Sequence, residues 1–462
     1  MLFNSLPFLY AFLPITYLVF WRLRTKFQRY VWLTITGYVF YSFWNPKFCA
    51  LMALSTAVSY GAGLGFLRWT DARRRRLCLV LPIVFDLSLL ATFKYANFAL
   101  SSTNWILQSV HSNLRAPSFD IVLPIGISFY TFHTITYIVD SYRGVIKPTR
   151  NIFEFSCYVS LFSQLVAGPI VRFRQVEQDL ENIDHANQAA HLERGWSFFV
   201  LGMVKKVLIA DSIAWIINPA LLRWQSLSTL DTWLCMLGYT YQLYFDFSGY
   251  SDMAVGLGAM FSIRLPQNFN SPYKAIDISD FWKRWHISLS SVLRDYLYIP
   301  LGGSRQGEGK TCRNLMITML LGGLWHGANW TFVAWGAYHG VLLIATRYGQ
   351  AFFNLWPVTL RKLTTFILVV VGWVLFRSIN FSMAAGLLGA MFSWKPGIHL
   401  TAGKSLVGLL LIAGGLAHFG PNTFELQHRW SPAQAFALGV LLLACIVFIY
   451  GGQESPFLYF QF

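Results

Sequence analysis

Two acids and a histidine stand where an apolar chain can least accommodate them. Asp246 and Asp252 belong to the run Tyr-Thr-Tyr-Gln-Leu-Tyr-Phe-Asp-Phe-Ser-Gly-Tyr-Ser-Asp that starts at Tyr239, in or beside an apolar block. An ionisable side chain is expensive there and marks a polar cavity, a partner or a ligand path more often than packing. His326 lies in Leu321-Gly-Gly-Leu-Trp-His-Gly-Ala-Asn-Trp330, where Gly322, Gly323, Gly327 and Asn329 interrupt an apolar run. A helix broken at membrane depth is tolerated only where protein or water receives its backbone. A buried pocket is therefore expected around His326, with a neutral imidazole able to take a proton from a hydroxyl. His133, His286 and His339 also sit in apolar or interfacial fabric. His133 and His339 are read as hydrogen-bonded packing groups.

Between these features, residues 264–313 carry eight Lys and Arg (Arg264, Lys274, Lys283, Arg284, Arg294, Arg305, Lys310, Arg313) against Asp277, Asp280, Asp295 and Glu308. Such a surface would attract a phosphorylated ligand such as coenzyme A through charge-assisted bonds. Anionic lipid heads would satisfy the same charges equally well. The aromatic residues of Asp280-Phe-Trp-Lys-Arg-Trp-His286 have a simpler reading as interfacial anchors. No G-x-S-x-G elbow, Walker A loop or H-E-x-x-H helix occurs, so hydrolase, ATPase and zinc-protease chemistry has no residues to stand on. The six cysteines lie far apart and no histidines cluster, which points to no metal site and no disulfide framework.

The elements that must hold these residues follow from composition. Of 462 residues, 55% are hydrophobic and only 12% charged, too few charges to cover a water-soluble surface. The apolar residues arrive in blocks near 6–21, 30–44, 48–67, 77–99, 119–140, 152–168, 195–217, 229–250, 314–325, 329–346, 362–380, 404–418 and 433–450. The expected fold is an all-helical, polytopic membrane bundle in one domain over 1–462, with about ten to twelve crossings plus re-entrant pieces. The net charge of +16 is spread between apolar blocks, which indicates positive-inside orientation and membrane lipid as neighbour rather than nucleic-acid binding. Basic residues place the loops 22–29, 68–76, 143–150 and 264–313 in the cytoplasm. The block 152–168 has basic flanks on both sides and ends in Ala167-Gly-Pro169, so it is expected to re-enter rather than cross. The first apolar block precedes its positive charges and is expected to be retained, with its N-terminus outside. No extracytoplasmic stretch is long enough for a domain that could hold a large substrate.

Seven segments together resemble the membrane-bound O-acyltransferase family, in its bacterial alginate O-acetylation branch. They are 123–132 (LPIGISFYTF), 167–172 (AGPIVR), 244–254 (YFDFSGYSDMA), 268–273 (NFNSPY), 280–290 (DFWKRWHISLS), 294–303 (RDYLYIPLGG) and 324–330 (LWHGANW), all inside a core of about 120–346. The resemblance implies that His326 is the essential residue and His286 a second polar residue of the site. His326 would act as general base on the acceptor hydroxyl, and His286 would orient the donor or polarise its carbonyl. It further implies acetyl-coenzyme A as the donor substrate, with no permanently bound cofactor. Lys283, Arg284 and Arg294 would hold the donor at a cytoplasmic mouth, and Trp325 and Asn329, beside the histidine, would bind it too. A bacterial inner-membrane location is implied too, with a periplasmic SGNH-hydrolase-like acetyltransferase and polysaccharide synthesis and export machinery as partners. Two alternatives remain open on the sequence: a polysaccharide or lipid transporter, and an acyltransferase for a lipid or protein acceptor.

Overall fold

A computed structural model of the chain describes residues 1–166, 168–185, 188–397, 400, 403–452 and 457–458. Ala167, the first residue of the Ala-Gly-Pro turn, lies outside the described residues. Among the described residues every regular element is helical and none is a strand. The polypeptide forms two compact units, Met1–Leu192 with Leu257–Pro266, and Glu193–Gly256 with Gln267–Phe462.

Some helices of the first unit begin where side chains replace missing backbone partners. Thr25 and Gln28 form a reciprocal capping box at Lys26–Ser42, and Asp71 accepts from the Arg74 amide at the start of Ala72–Leu90. Lys47–Arg68 and the 38-residue run Ala72–Ser109 are long and apolar enough to cross a bilayer. The second of these buries Asp86, an acid absent from the sequence reading. It is satisfied by the hydroxyls of Ser55 and Thr134, each donating at 2.6 Å. The block at 152–168 resolves into Ile152–Ser160 and Phe162–Leu165. Nine residues rise only about 14 Å, the length of a re-entrant piece rather than a crossing.

In the second unit, Val358–Arg377 and Pro432–Tyr450 are long and apolar enough to cross, and Phe381–Phe392 and Gly403–His418 are shorter apolar helices. Phe381–Phe392 was not among the expected blocks. Helix Thr229–Met260 approaches the preceding helical segment so closely that a Cβ on Gly249 would stand 2.7 Å from the Gly202 carbonyl oxygen. That approach brings Lys205 and Lys206 up against the long helix. Lys206 then sits 2.7 Å from both Asp211 and Asp246, all three buried, while Lys205 and Thr423 close on Asp252 at 2.6 Å each. Of the three readings open for Asp246 and Asp252, a cavity, a partner or a ligand path, the structure shows the partner: both are compensated by lysines of this unit, as buried charges must be.

The stretch 264–313 also differs from a plain surface loop. It contains the short helices Ile278–Arg284 and Ile287–Leu293, and between them Trp285 and His286 are wholly buried. Trp285 rests on Trp373, ring centroids 4.9 Å apart, whereas Asp277 lies 3.9 Å from Arg361 near the start of the same Val358–Arg377 helix. Twelve helical positions separate these two levels, about 18 Å, so the middle of the basic stretch dips alongside an apolar helix.

Candidate active site

His326 is the last residue of helix Glu308–His326. The chain turns extended at Gly327 and restarts as Trp330–Phe353, whose N-terminus is capped by the Asn329 carboxamide accepting from the Thr331 amide at 3.0 Å. The same Asn329 donates to the Ile379 carbonyl, 2.8 Å, and the Thr331 hydroxyl donates to the Ser378 carbonyl, 3.0 Å. The hairpin is therefore tied to the end of Val358–Arg377. Its two helices meet at Gly323 and Gly336, where a Cβ on either would run into a carbonyl oxygen of the other helix. Gly323 and Gly327 are thus places of tight packing and not open space: Gly323 permits a close helix contact at the site, and Gly327 abuts the Phe332 ring.

This packing leaves His326 only 5% exposed. Its ring is edge-on to Trp335 at 5.2 Å and lies 5.3 Å from Phe376 and 5.0 Å from Trp325. Phe376 is in the last turn of Val358–Arg377, fifteen positions beyond Arg361. The imidazole thus stands about 22 Å along that helix from the Asp277–Arg361 level.

A cavity of about 340 Å³ reaches it. Leu315, Thr318, Met319, Gly322 and His326 line it from one face of helix Glu308–His326, at the three- and four-residue spacing of a single stripe. Eleven positions from Leu315 to His326 make that stripe about 16 Å long. Leu289, Leu293 and Trp335 are among its other apolar walls, and the exposed Lys283 and Arg294 line the same cavity. Arg294 donates to Asp295 at 2.7 Å, a bond that raises the guanidinium above its ordinary range.

The remaining residues singled out in the sequence are placed differently. Arg284 donates to Asp280 at 2.8 Å and to the Asn270 carbonyl at 3.3 Å, and it is not among the residues lining the cavity. Trp325 is buried with its ring 5.9 Å from that of His286. His286 is wholly buried in a left-handed conformation, φ +45°, with its ring 6.3 Å from that of His326 and 4.8 Å from Phe247. His133 accepts from the Val171 amide at 3.4 Å, as expected of a packing group. His339 is packed against Trp282 and Trp335, but neither ring nitrogen has a hydrogen-bond partner among the described residues.

Sequence reasoning missed the stripe at Leu315, Thr318, Met319 and Gly322, although counting back from His326 by helical turns recovers it. It also missed Trp335 and Phe376 as the walls that orient the imidazole, and nothing in their local sequence announces that.

Several known proteins are similar to this chain along most or all of its length. The model of the membrane-bound O-acyltransferase family matches residues 95–385. A probable alginate O-acetylase of Pseudomonas putida is 42% identical over the full length of both chains. The probable alginate O-acetylase of Pseudomonas aeruginosa is 45% identical over 85% of this chain and 75% of its own. A peptidoglycan O-acetyltransferase of Helicobacter pylori is 38% identical over all of this chain and 98% of its own.

Proposed function

This chain belongs to the membrane-bound O-acyltransferase family and is an O-acyltransferase, and from that premise we propose that it moves acetyl from cytoplasmic acetyl-coenzyme A toward an exported polysaccharide in the bacterial inner membrane. One observation carries the reading: a single cavity joins two exposed cations to a buried imidazole about 16 Å along a helix stripe. Lys283 and Arg294 would receive the donor's phosphates and the apolar stripe its thioester arm. The names of the relatives support acetyl as the group and a cell-surface polymer such as alginate as the final acceptor.

In the transfer itself, His326 takes the proton of the acceptor hydroxyl as its oxygen attacks the thioester carbonyl carbon. The C–S bond breaks, and coenzyme A leaves as a thiolate that recovers the proton. The position of His326 at the far end of a membrane-length helix supports delivery toward the outer face. A periplasmic SGNH-hydrolase-like acetyltransferase and the polysaccharide export machinery would complete the route, since a sugar chain needs a domain to hold it.

The test is thiol release from acetyl- and palmitoyl-coenzyme A by the purified protein in detergent. Acetyl-selective release is expected. Preference for palmitoyl would move the protein to the long-chain acylating enzymes, and no release from either donor would overturn the cytoplasmic donor.

A further inference from the structure

The cavity does not include His286, so what this second histidine can do depends on which of its nitrogens carries a proton. The residue that decides this is Asn268. The backbone of 268–270 is zipped onto the turn at His286, with Ile287 N–H donating to the Asn268 carbonyl and Asn270 N–H to the Arg284 carbonyl, both at 2.9 Å. Within that clasp the Asn268 side-chain oxygen meets three groups: the Ser288 amide at 3.2 Å, the Ser288 hydroxyl at 2.8 Å and His286 Nδ1 at 3.1 Å. A backbone amide can only donate, so the Asn268 atom facing it is the carbonyl oxygen and not the amino group. An acceptor at that place requires a proton on His286 Nδ1.

We propose that Asn268 is a positioning residue that fixes His286 as its Nδ1–H tautomer, leaving the neutral ring able only to accept at Nε2. This rests on the acetyl-transfer reading above and narrows it. The neutral His286 cannot polarise a thioester carbonyl, because that needs an N–H and its single N–H is held by Asn268. Whatever group meets it at Nε2 must therefore be the donor. The left-handed backbone at His286, unusual for a residue with a Cβ, is held by the same clasp. Asn268 itself is buried, and its amino group has no hydrogen-bond partner among the described residues, so the oxygen is the end the fold uses.

The test is nitrogen-15 NMR of the full chain labelled at histidine, with the His286 signal assigned by its loss in His286→Gln. Wild type should show a protonated Nδ1 and a bare Nε2. Asn268→Ala should mix the tautomers and lower kcat for acetyl transfer roughly tenfold to hundredfold, the cost typical of losing an outer partner that orients a histidine, with KM for acetyl-coenzyme A little changed. Asn268→Asp keeps every acceptor and should keep the Nδ1 proton. Its carboxylate favours the imidazolium, so the acid limb of its kcat profile should move to higher pH. A proton on Nε2 in the wild type overturns the proposal. So does a folded Asn268→Ala protein with unchanged spectrum and kcat, or one whose loss lies in KM. If the wild type shows the Nδ1 proton yet consumes no acetyl-coenzyme A, the tautomer stands and the acetyl-transfer reading alone fails.

Discussion

His326 stands edge-on to Trp335, ring centroids 5.2 Å apart and planes at 89°. The indole belongs to the helix that begins just after the histidine's own helix ends, so the imidazole is oriented by its own hairpin. Replacing it should therefore remove chemistry more than fold. His326→Ala should lower acetyl transfer by about 10²–10⁴-fold, and His326→Gln should fail equally, because an amide takes no proton at neutral pH. The space left by Ala adjoins the cavity and can be filled by water. Polymer acetylation at matched membrane abundance checks this, and near-normal acetylation by the Gln variant would refute the general base.

The contact at Gly323 and Gly336 makes a stability prediction. Gly323→Ala or Gly336→Ala places a methyl group against a carbonyl oxygen and should cost about 1–3 kcal/mol, the usual penalty of overpacking. Gly349→Ala, later in the same hairpin with open space around its Cβ position, should be neutral or mildly stabilising. Thermal unfolding of the three variants in detergent decides whether the hairpin contact is as close as described.

Donor contacts should separate by residue. Lys283→Gln with Arg294→Gln should raise KM for acetyl-coenzyme A more than it lowers kcat, because phosphate contacts far from the thioester bind ground and transition states alike. Arg284→Gln breaks the bonds to Asp280 and Asn270 beside the His286 turn and should appear instead as lost thermal stability. Steady-state kinetics paired with melting curves distinguishes them. An Arg284 variant with normal stability and a raised KM would return that residue to the donor.

Lys206→Met should be among the most damaging substitutions outside the cavity. It removes the ammonium shared by Asp211 and Asp246 in a buried site, where breaking such a pair costs about 3–5 kcal/mol. Combining it with Asp211→Asn and Asp246→Asn should recover part of the loss, since neutral amides need no counter-charge. Membrane abundance and melting temperature report both outcomes, and additive losses would exclude the proposed charge compensation.

What the sequence by itself determined about this protein is what short-range chemistry encodes. Apolar block lengths specified a helical membrane protein, and the break around Gly327 and Asn329 specified a helix end that presents His326. Motifs shared with a family named the reaction class. The tertiary structure alone decided which charges are partners and which are available. Asp246 stayed open between a cavity, a partner and a ligand path because its lysine lies forty positions earlier, and only the close approach at Gly202 and Gly249 brings the two together. Lys283 and Arg284 are neighbours in sequence with the same charge, yet one lines the cavity and the other is spent on Asp280. Successive residues of a helix point about 100° apart, so their fates depend on what packs against each face. Asn268 and His286, eighteen residues apart, meet because a backbone clasp folds one segment over the other. Burial, pairing and tautomer are properties of such meetings, and a linear sequence does not contain the distances that create them.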